Sequence, residues 1–451
     1  MIYLHQQVQF NFRKKVFIKF LKFIIPFFTL RVLFRRIYYS DRFRVPDDKP
    51  LILAGNHPNS FLDGIIVSAY LGRPVHYLVR GDMFGNKLKR WLLRNFNVSP
   101  IYRLEEGFTN VHKNEVTFKA VYRILQKNEN LIIFGEGTSV PEKRLRPLRK
   151  GIARMAFEAE DLYSLDIQVV PVGINYTYPT RFREEVMVRF HDPISIREMM
   201  DLYKENKAKA YLAFNRLLEE ALREEVIIIE DNKYDKLAEW LFTMNRNDNP
   251  PPFFMWKSVS DARLSREKII SDTINIKAED DNPVLDELAI RVKEYFEKLE
   301  SNNLNDRHLA GGSSYHWVRN AALLSGWPIF FFGYLSNILP YCIPDYFCKT
   351  KIRQPQFYMA VYMAIGTVLY LVWFPLIMAL SIVFFSWWGL LSGLSVPIAG
   401  YLALFYLEIY KERLQFFHFS LIKRKNPEMI NDLISQRTQI HKMLLKSGFP
   451  H

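Results

Sequence analysis

From Gln354 to Leu407 the chain contains no Asp, Glu, Lys or Arg. No other feature limits the possible folds as strongly. Such a stretch is either the heart of a large soluble core or a pair of membrane-crossing helices, because one crossing needs about 20 apolar residues. Pro375 interrupts its first half, and Ser386-Trp387-Trp388-Gly389 with Gly393 marks a turn. Lys349, Lys351 and Arg353 precede it, and Lys411 and Arg413 follow it. Cations at both flanks favour the cytoplasmic side for both ends. The expectation is a transmembrane hairpin over residues 356–409, inside a membrane unit at 321–415. Residues 321–347 are apolar but carry Pro328, Pro340 and Pro344, which suits a re-entrant or interfacial segment. Residues 416–451 then form a cytoplasmic tail.

The net charge of +14 calls for an acidic partner, either nucleic acid or an anionic membrane. Aromatic residues make up 15% of the chain, and the cations sit beside membrane-seeking segments. No aromatic base-stacking groove accompanies them, so membrane lipids are the expected partner and nucleic acid is not. In residues 1–45, Phe17, Phe20, Phe23, Phe27, Phe28 and Phe34 alternate with Lys14, Lys19, Lys22, Arg31 and Arg35. That pattern reads as a basic amphipathic helix in the membrane interface, or as one packed on its own domain. Cys342 and Cys348 have neither CxxC spacing nor a nearby histidine pair, which excludes a four-ligand zinc site and a disulfide framework. Residues 231–320 are polar, broken at Pro250-Pro251-Pro252 and Pro283, and read as a helical extension.

Residues 46–230 alternate apolar runs with helical patterns, as in an α/β domain. Strands are expected at 51–54, 75–79, 98–101, 131–134, 168–174 and 186–190, and helices at 61–71, 84–95, 113–127, 151–163 and 207–229. The first strand, Leu51-Ile52-Leu53-Ala54, runs into Gly55-Asn56-His57-Pro58-Asn59-Ser60 and restarts as a helix at Phe61-Leu62-Asp63. A histidine and a carboxylate thus stand at the end of a buried strand, where α/β proteins place their chemistry. A neutral imidazole can take a proton from a hydroxyl, and a carboxylate on its other nitrogen fixes the tautomer. With no GxSxG elbow and no cysteine near a histidine, the activated hydroxyl would belong to a substrate. The same residues also read as a plain turn, with Asn59 or Ser60 capping the helix and Asp63 in its first turn.

Three further stretches carry chemistry. Val98-Ser99-Pro100-Ile101 ends at Tyr102-Arg103, and arginine offers a planar fork that matches phosphate. Leu131-Ile132-Ile133-Phe134 runs into Gly135-Glu136-Gly137-Thr138-Ser139, where glycines let the backbone approach a ligand. Lys143, Arg144, Arg146, Arg149 and Lys150 follow as a basic loop. Val169-Val170-Pro171-Val172 is a buried strand whose proline suits a strand start or an edge. The other histidines, among them His76, His112, His191 and His316, lack a carboxylate in a comparable block and read as structural or surface residues.

Taken in order, these four blocks resemble those of the glycerolipid acyltransferase family, over residues 48–200. The order and spacing look most like the branch that acylates glycerol-3-phosphate or dihydroxyacetone phosphate. The family's first block usually has one residue fewer between histidine and aspartate; here Pro58 to Leu62 intervene, and the turn must absorb the extra one. Gly135 stands where proline is usual, and Ser139 where arginine is usual. The resemblance implies an α/β acyltransferase domain, a mixed sheet flanked by helices, joined to the helical extension and the C-terminal transmembrane helices. It implies an integral membrane enzyme of phospholipid biosynthesis, its catalytic domain on the cytoplasmic side. His57 would be the general base and Asp63 its orienting partner. Arg103 and Lys150 would hold the acceptor phosphate, and Glu136, Gly137 and Thr138 its polar groups. The co-substrate would be acyl-CoA or acyl carrier protein, with no cofactor and no metal. A 1-acylglycerol-3-phosphate acceptor is the alternative within the family, and a non-catalytic lipid-binding membrane protein the alternative outside it.

Overall fold

The computed structural model describes residues 28–449 except 88–89, 91–92, 94, 103–113, 281 and 312–315. The chain divides into two compact units. The first holds the residues up to Val226 with Trp256–Asp261 and Gln354–Ala360; the second holds Ile227–Met255, Ala262–Arg353 and Val361–His451.

Among the described residues of the first unit, nine strands form one mixed sheet. They are β1 (Phe34–Ser40), β2 (Leu51–Gly55), β3 (Val75–Arg80), β4 (Val98–Ile101), β5 (Asn130–Phe134), β6 (Gln168–Tyr176), β7 (Glu184–Phe190), β8 (Ile194–Ser195) and β9 (Lys257–Ser258). The order is β4-β3-β5-β2-β6-β7-β1-β9, with β8 beside β6. The block from β4 to β6 is parallel, and β7 turns antiparallel to β6. Parallel strands covered on both faces read as unbroken apolar runs. All five residues of β2 are buried for that reason. Ile52 and Ala54 join the cluster formed with Val121, Leu125, Ala153, Phe157, Phe214 and Leu218. Those partners lie on helices α2 (Asn114–Gln126), α3 (Gly151–Tyr163) and α4 (Lys207–Glu225). Leu51 and Leu53 alternate to the opposite face. Helix α1 (Ser60–Ser68) follows β2 directly.

Several expectations change here. Residues 34–40 are not part of an interfacial helix but strand β1, paired to β7. The Arg-aromatic alternation misleads because Arg36 finds Glu185 at 2.6 Å across the sheet, so its charge needs no membrane surface. Of the rest of the expected helix over 1–45, residues 1–27 lie outside the described residues, Leu30–Leu33 is one helical turn with Leu30 and Leu33 buried, and Arg42–Arg44 is a short 3-10 turn. The sheet unit therefore begins before residue 46, and β9 joins it from beyond 230. Helix α4 ends at Glu225, and residues 226–229 are buried without helix. The expected helix at 84–95 falls partly outside the described residues. Pro171 lies inside β6, not at an end or on an edge strand. Its carbonyl accepts from His191 N at 3.0 Å, so its nitrogen faces the same side, at the gap between β7 and β8 where no ladder bond is required.

The second unit is helical: α5 (Asp235–Asp248), α6 (Ala262–Glu279), α7 (Pro283–Ser301), α8 (His316–Lys351), α9 (Tyr358–Phe385), α10 (Trp388–Lys425) and α11 (Pro427–Lys446). Three stretches, Arg319–Lys351, Pro355–Phe385 and Trp388–Lys425, are long and apolar enough to cross a membrane. The expected hairpin corresponds to α9 and α10, with the turn at 386–387. Residues 321–347 lie within the continuous helix α8. The expected tail is no tail: α11 buries Ile430, Leu433 and Ile440, and Arg437 donates to Asp306 at 2.9 Å and Asp248 at 2.6 Å.

Candidate active site

Strands β2 and β5 are parallel neighbours, with Gly55 opposite Phe134. Each ends two residues before a residue that carries chemistry. His57 and Glu136 therefore emerge side by side at the carboxyl edge of the sheet, where ligands bind in such folds. Strand β6, on the other side of β2, places Val172 opposite Gly55 and runs on to Tyr176. The turn after β2 lies along that overhang. Asn56 locks the two together: its side chain donates to Ile174 O at 3.0 Å and accepts from Ile174 N at 2.8 Å.

His57 Nδ1 lies 2.9 Å from Asp63 Oδ2. The same oxygen accepts from Asn59 N at 2.7 Å, and Oδ1 accepts from the Tyr176 hydroxyl at 2.8 Å. The turn absorbs the extra residue at Ser60, whose φ is +49°. That left-handed conformation costs a non-glycine residue about 1–2 kcal/mol. It is held by Ser60 N donating to Ser139 Oγ at 2.7 Å. Asn59 is the N-cap of α1 but makes no side-chain cap; its amide donates instead to Pro179 O at 2.7 Å. The carboxylate of Asp63 reaches back to the N-cap N–H, so one side chain both starts the helix and orients the imidazole. Phe134 stacks on the His57 ring, with centroids 4.1 Å apart and planes 2° from parallel. The ring is clamped at one face and one nitrogen, which leaves Nε2 to exchange a proton; the side chain keeps 18% of its exposure.

Burial governs the carboxyls. It pushes Asp63, wholly enclosed, above its usual value, against the lowering effect of His57, Asn59 N and Tyr176. Burial likewise raises Glu136 to about 7; His57 N–H and Arg146 oppose the rise, and Asp63 adds to it. Glu136 Oε1 accepts from His57 N at 3.3 Å, which ties the β5 loop to the β2 loop. Gly137 has φ +70°, and a Cβ there would lie 2.8 Å from Arg149 Nε. Only glycine allows that backbone beneath the arginine.

The structure thus brings together His57, Asp63, Glu136 and Gly137, with Thr138 next in the chain, half-buried. Arg103 lies outside the described residues. Lys150 and Arg149 are both exposed, Lys150 at the N-cap of α3 and Arg149 over Gly137, and Arg146 acts on Glu136. Ser139 serves the turn. His76 does find a carboxylate, Glu129 at 2.7 Å, but at the opposite edge of the sheet, where β3 and β5 begin. Place in the fold, not pairing alone, separates it from His57. Tyr176 and the stacking of Phe134 were not foreseen; their separation from Asp63 and His57 in sequence hides them. Among the described residues no group of three His, Cys, Asp or Glu side chains is placed to hold a metal ion.

Residues 36–175, which contain all of this geometry up to the last residue of β6 but one, match the family described as "Acyltransferase". The chain carries an acyltransferase-family domain. The chain is also similar over short stretches to curated proteins. An uncharacterized acyltransferase of Schizosaccharomyces pombe is 35% identical over 94 residues, 20% of this chain and 14% of that protein. Glycerol-3-phosphate O-acyltransferase 1 of Saccharomyces cerevisiae is 36% identical over 88 residues, 19% of this chain and 12% of that protein. The matches thus span a small part of those relatives. Among solved structures, the 1-acyl-sn-glycerophosphate acyltransferase PlsC of Thermotoga maritima superposes with a TM-score of 0.34 at 17% identity, covering 46% of this chain and 80% of that one.

Proposed function

We propose that this protein is a membrane-bound O-acyltransferase that moves a fatty acyl chain from an acyl thioester to glycerol-3-phosphate or dihydroxyacetone phosphate. The observation that carries the reading is the His57–Asp63 pair at 2.9 Å, set beside Glu136 at the carboxyl edge of an acyltransferase-family sheet. Asp63 holds the proton on Nδ1 and directs Nε2 toward the acceptor. Nε2 takes the proton of the acceptor hydroxyl as its oxygen attacks the thioester carbonyl. The new C–O bond forms, the C–S bond breaks, and the thiolate leaves with the proton from His57. Glu136, Gly137 and Thr138 position the acceptor's polar groups. Arg103 and Lys150 hold the acceptor phosphate, with Arg146 acting on Glu136 and Arg149 over Gly137 as further cations of the same loop. Acyl-CoA or acyl carrier protein supplies the thioester.

The protein is integral to the membrane, with the acyltransferase domain on the cytoplasmic side. Support comes from the second unit. Arg319, at the start of α8, pairs with Glu412 on α10. Asn337 Nδ2 donates to Val396 O at 3.0 Å, so α8 and α10 run antiparallel from there to the ion pair. The chain then enters and leaves the bilayer at one face, which requires an even number of crossings. Helices α9 and α10 supply two. On this reading α8 bends at Pro328, Pro340 and Pro344 instead of crossing, which would put Lys349, Lys351 and Arg353 on the side of Arg319.

Membranes containing the protein, given labelled acyl donor, should acylate glycerol-3-phosphate or dihydroxyacetone phosphate and lose the activity on His57→Ala. Activity with lysophosphatidate alone would overturn the acceptor. Full turnover by H57A would overturn the mechanism.

A further inference from the structure

We propose that Tyr176 is a positioning residue of the acyl transfer, acting on His57 through Asp63; this rests on the reading of His57 as general base. Tyr176 is 113 residues from Asp63 in sequence and closes the far side of the same carboxylate. Asp63 is fully enclosed and Tyr176 nearly so, so water cannot replace either partner. The carboxylate has two oxygens and three donors. His57 and Asn59 N share Oδ2, and among the described residues Tyr176 alone serves Oδ1. Without the phenol, Oδ1 would stand buried and unmatched, and the carboxylate would be pinned at Oδ2 alone, its orientation about the last bond no longer fixed. A buried charge left with an unmet acceptor is costly, so some reorientation follows.

The phenol also sets how much negative charge the carboxylate presents to the ring. A strong donor at Oδ1 draws charge away from Oδ2, which weakens the hold on an imidazolium. The charged and titratable groups around the pair are Tyr176 from β6, Glu136 from the loop after β5, and Arg146 behind Glu136. Tyr77 of β3 packs against Gly64 of α1, but its hydroxyl is engaged with Ser68 at 2.6 Å. Tyr176 is therefore the group whose removal alters Asp63 without touching the acceptor. Its strand is fixed independently: Asn56 holds Ile174, and Asn175 donates to Glu225 O at 2.9 Å. Loss of the hydroxyl alone should leave β6 in place.

The experiment compares wild type with Tyr176→Phe in detergent-solubilised full-length protein. Three quantities are read: kcat and KM against pH, the melting temperature, and the pH dependence of His57 carbethoxylation, followed by mass spectrometry of its peptide. The expected result is a kcat loss of about tenfold or more, the size of one charge-assisted hydrogen bond. KM for both substrates should stay within about twofold, and the acidic limb of the rate profile and of His57 modification should move upward. In an Asp63→Asn background, Y176F should have no further effect on either limb. Limbs that stay in place, with or without a lower melting temperature, would overturn the proposal and leave Tyr176 a packing residue. If Y176F does not survive solubilisation, 3-fluorotyrosine at 176 keeps the shape and donates more strongly. It should move both limbs downward, and no movement would again overturn the proposal. The modification readout needs no turnover, so a wild type that transfers no acyl group defeats the parent reading while this test still stands.

Discussion

Replacing Asp63 with Asn gives the sharpest test of the site. The amide has almost the shape of the carboxylate but no charge. Asp63 lies 2.9 Å from Nδ1, which places the charge about 4.5 Å from the ring centre; at an effective dielectric near 20 the attraction to an imidazolium is roughly 4 kcal/mol. That energy is present only when the ring has taken the acceptor's proton. Its loss appears in kcat and not in KM, as a fall of roughly 10³-fold. If the amide presents its NH2 to the histidine, the tautomer is reversed and the loss grows to about 10⁴-fold. Stability should move the other way. Burial holds the Asp63 carboxyl above its ordinary value, so the ionised form opposes folding at neutral pH. The Asn variant should melt at or above the wild-type temperature. The assay is initial-rate acyl transfer in detergent micelles, paired with thermal melting at pH 7.5. A D63N enzyme within tenfold of wild-type kcat would refute the reasoning, because the pair would then not be stabilising a charged ring.

Three other outcomes are expected. Glu136 has a folded value of about 7 against an ordinary 4.5, so it binds its proton more tightly in the folded state and its contribution to stability falls as pH rises across that window; Glu136→Gln should flatten the melting-temperature profile there and melt higher than wild type at pH 8, equal melting of the two at every pH being the contrary result. Gly173→Ala puts a Cβ 2.2 Å from Glu225 O, and the forced shift of α4 away from β6 should cost about 2–3 kcal/mol, visible in thermal melts; an unchanged melt would contradict the packing. In a background without native cysteines, single cysteines at Ser301, before α8, and Asn426, after α10, should react with an impermeant maleimide from one face of sealed vesicles and a cysteine at Trp387 from the other, while labelling of 301 and 426 from opposite faces would contradict the even crossing.

How much of this was legible depends on the range of the interaction. Strands β2 to β7 were readable to within about two residues at most ends, because a strand buried on both faces must be apolar along its length, and turn residues must end it. Strand β1 was not, since its arginine is neutralised by Glu185, whose sequence position offers no clue to the pairing. The fate of residues 416–451 was hidden likewise: Arg437 looks like one more tail cation until Asp306 and Asp248 are beside it. At the site, strand-end logic marked His57, Asp63 and Glu136 as candidates, and the resemblance to the acyltransferase family gave them their expected roles. That Arg149 crosses Gly137 could not be read, because it depends on how the loop folds back over the glycine.

The amino-acid sequence by itself determined that this chain meets a membrane and where its chemistry begins. Both follow from local physics: an uncharged run cannot rest in water, and an apolar strand broken by Gly-Asn-His-Pro must end there. Only the tertiary structure decided whether Asp63 reaches the imidazole. The extra residue had to be taken up somewhere, and Ser60 takes it up at φ +49°, held by Ser139 from another strand's loop. It also decided that Tyr176 completes the carboxylate and Phe134 clamps the ring. Those contacts join residues up to 113 apart, and their geometry is set by strand order and register, which no local pattern encodes.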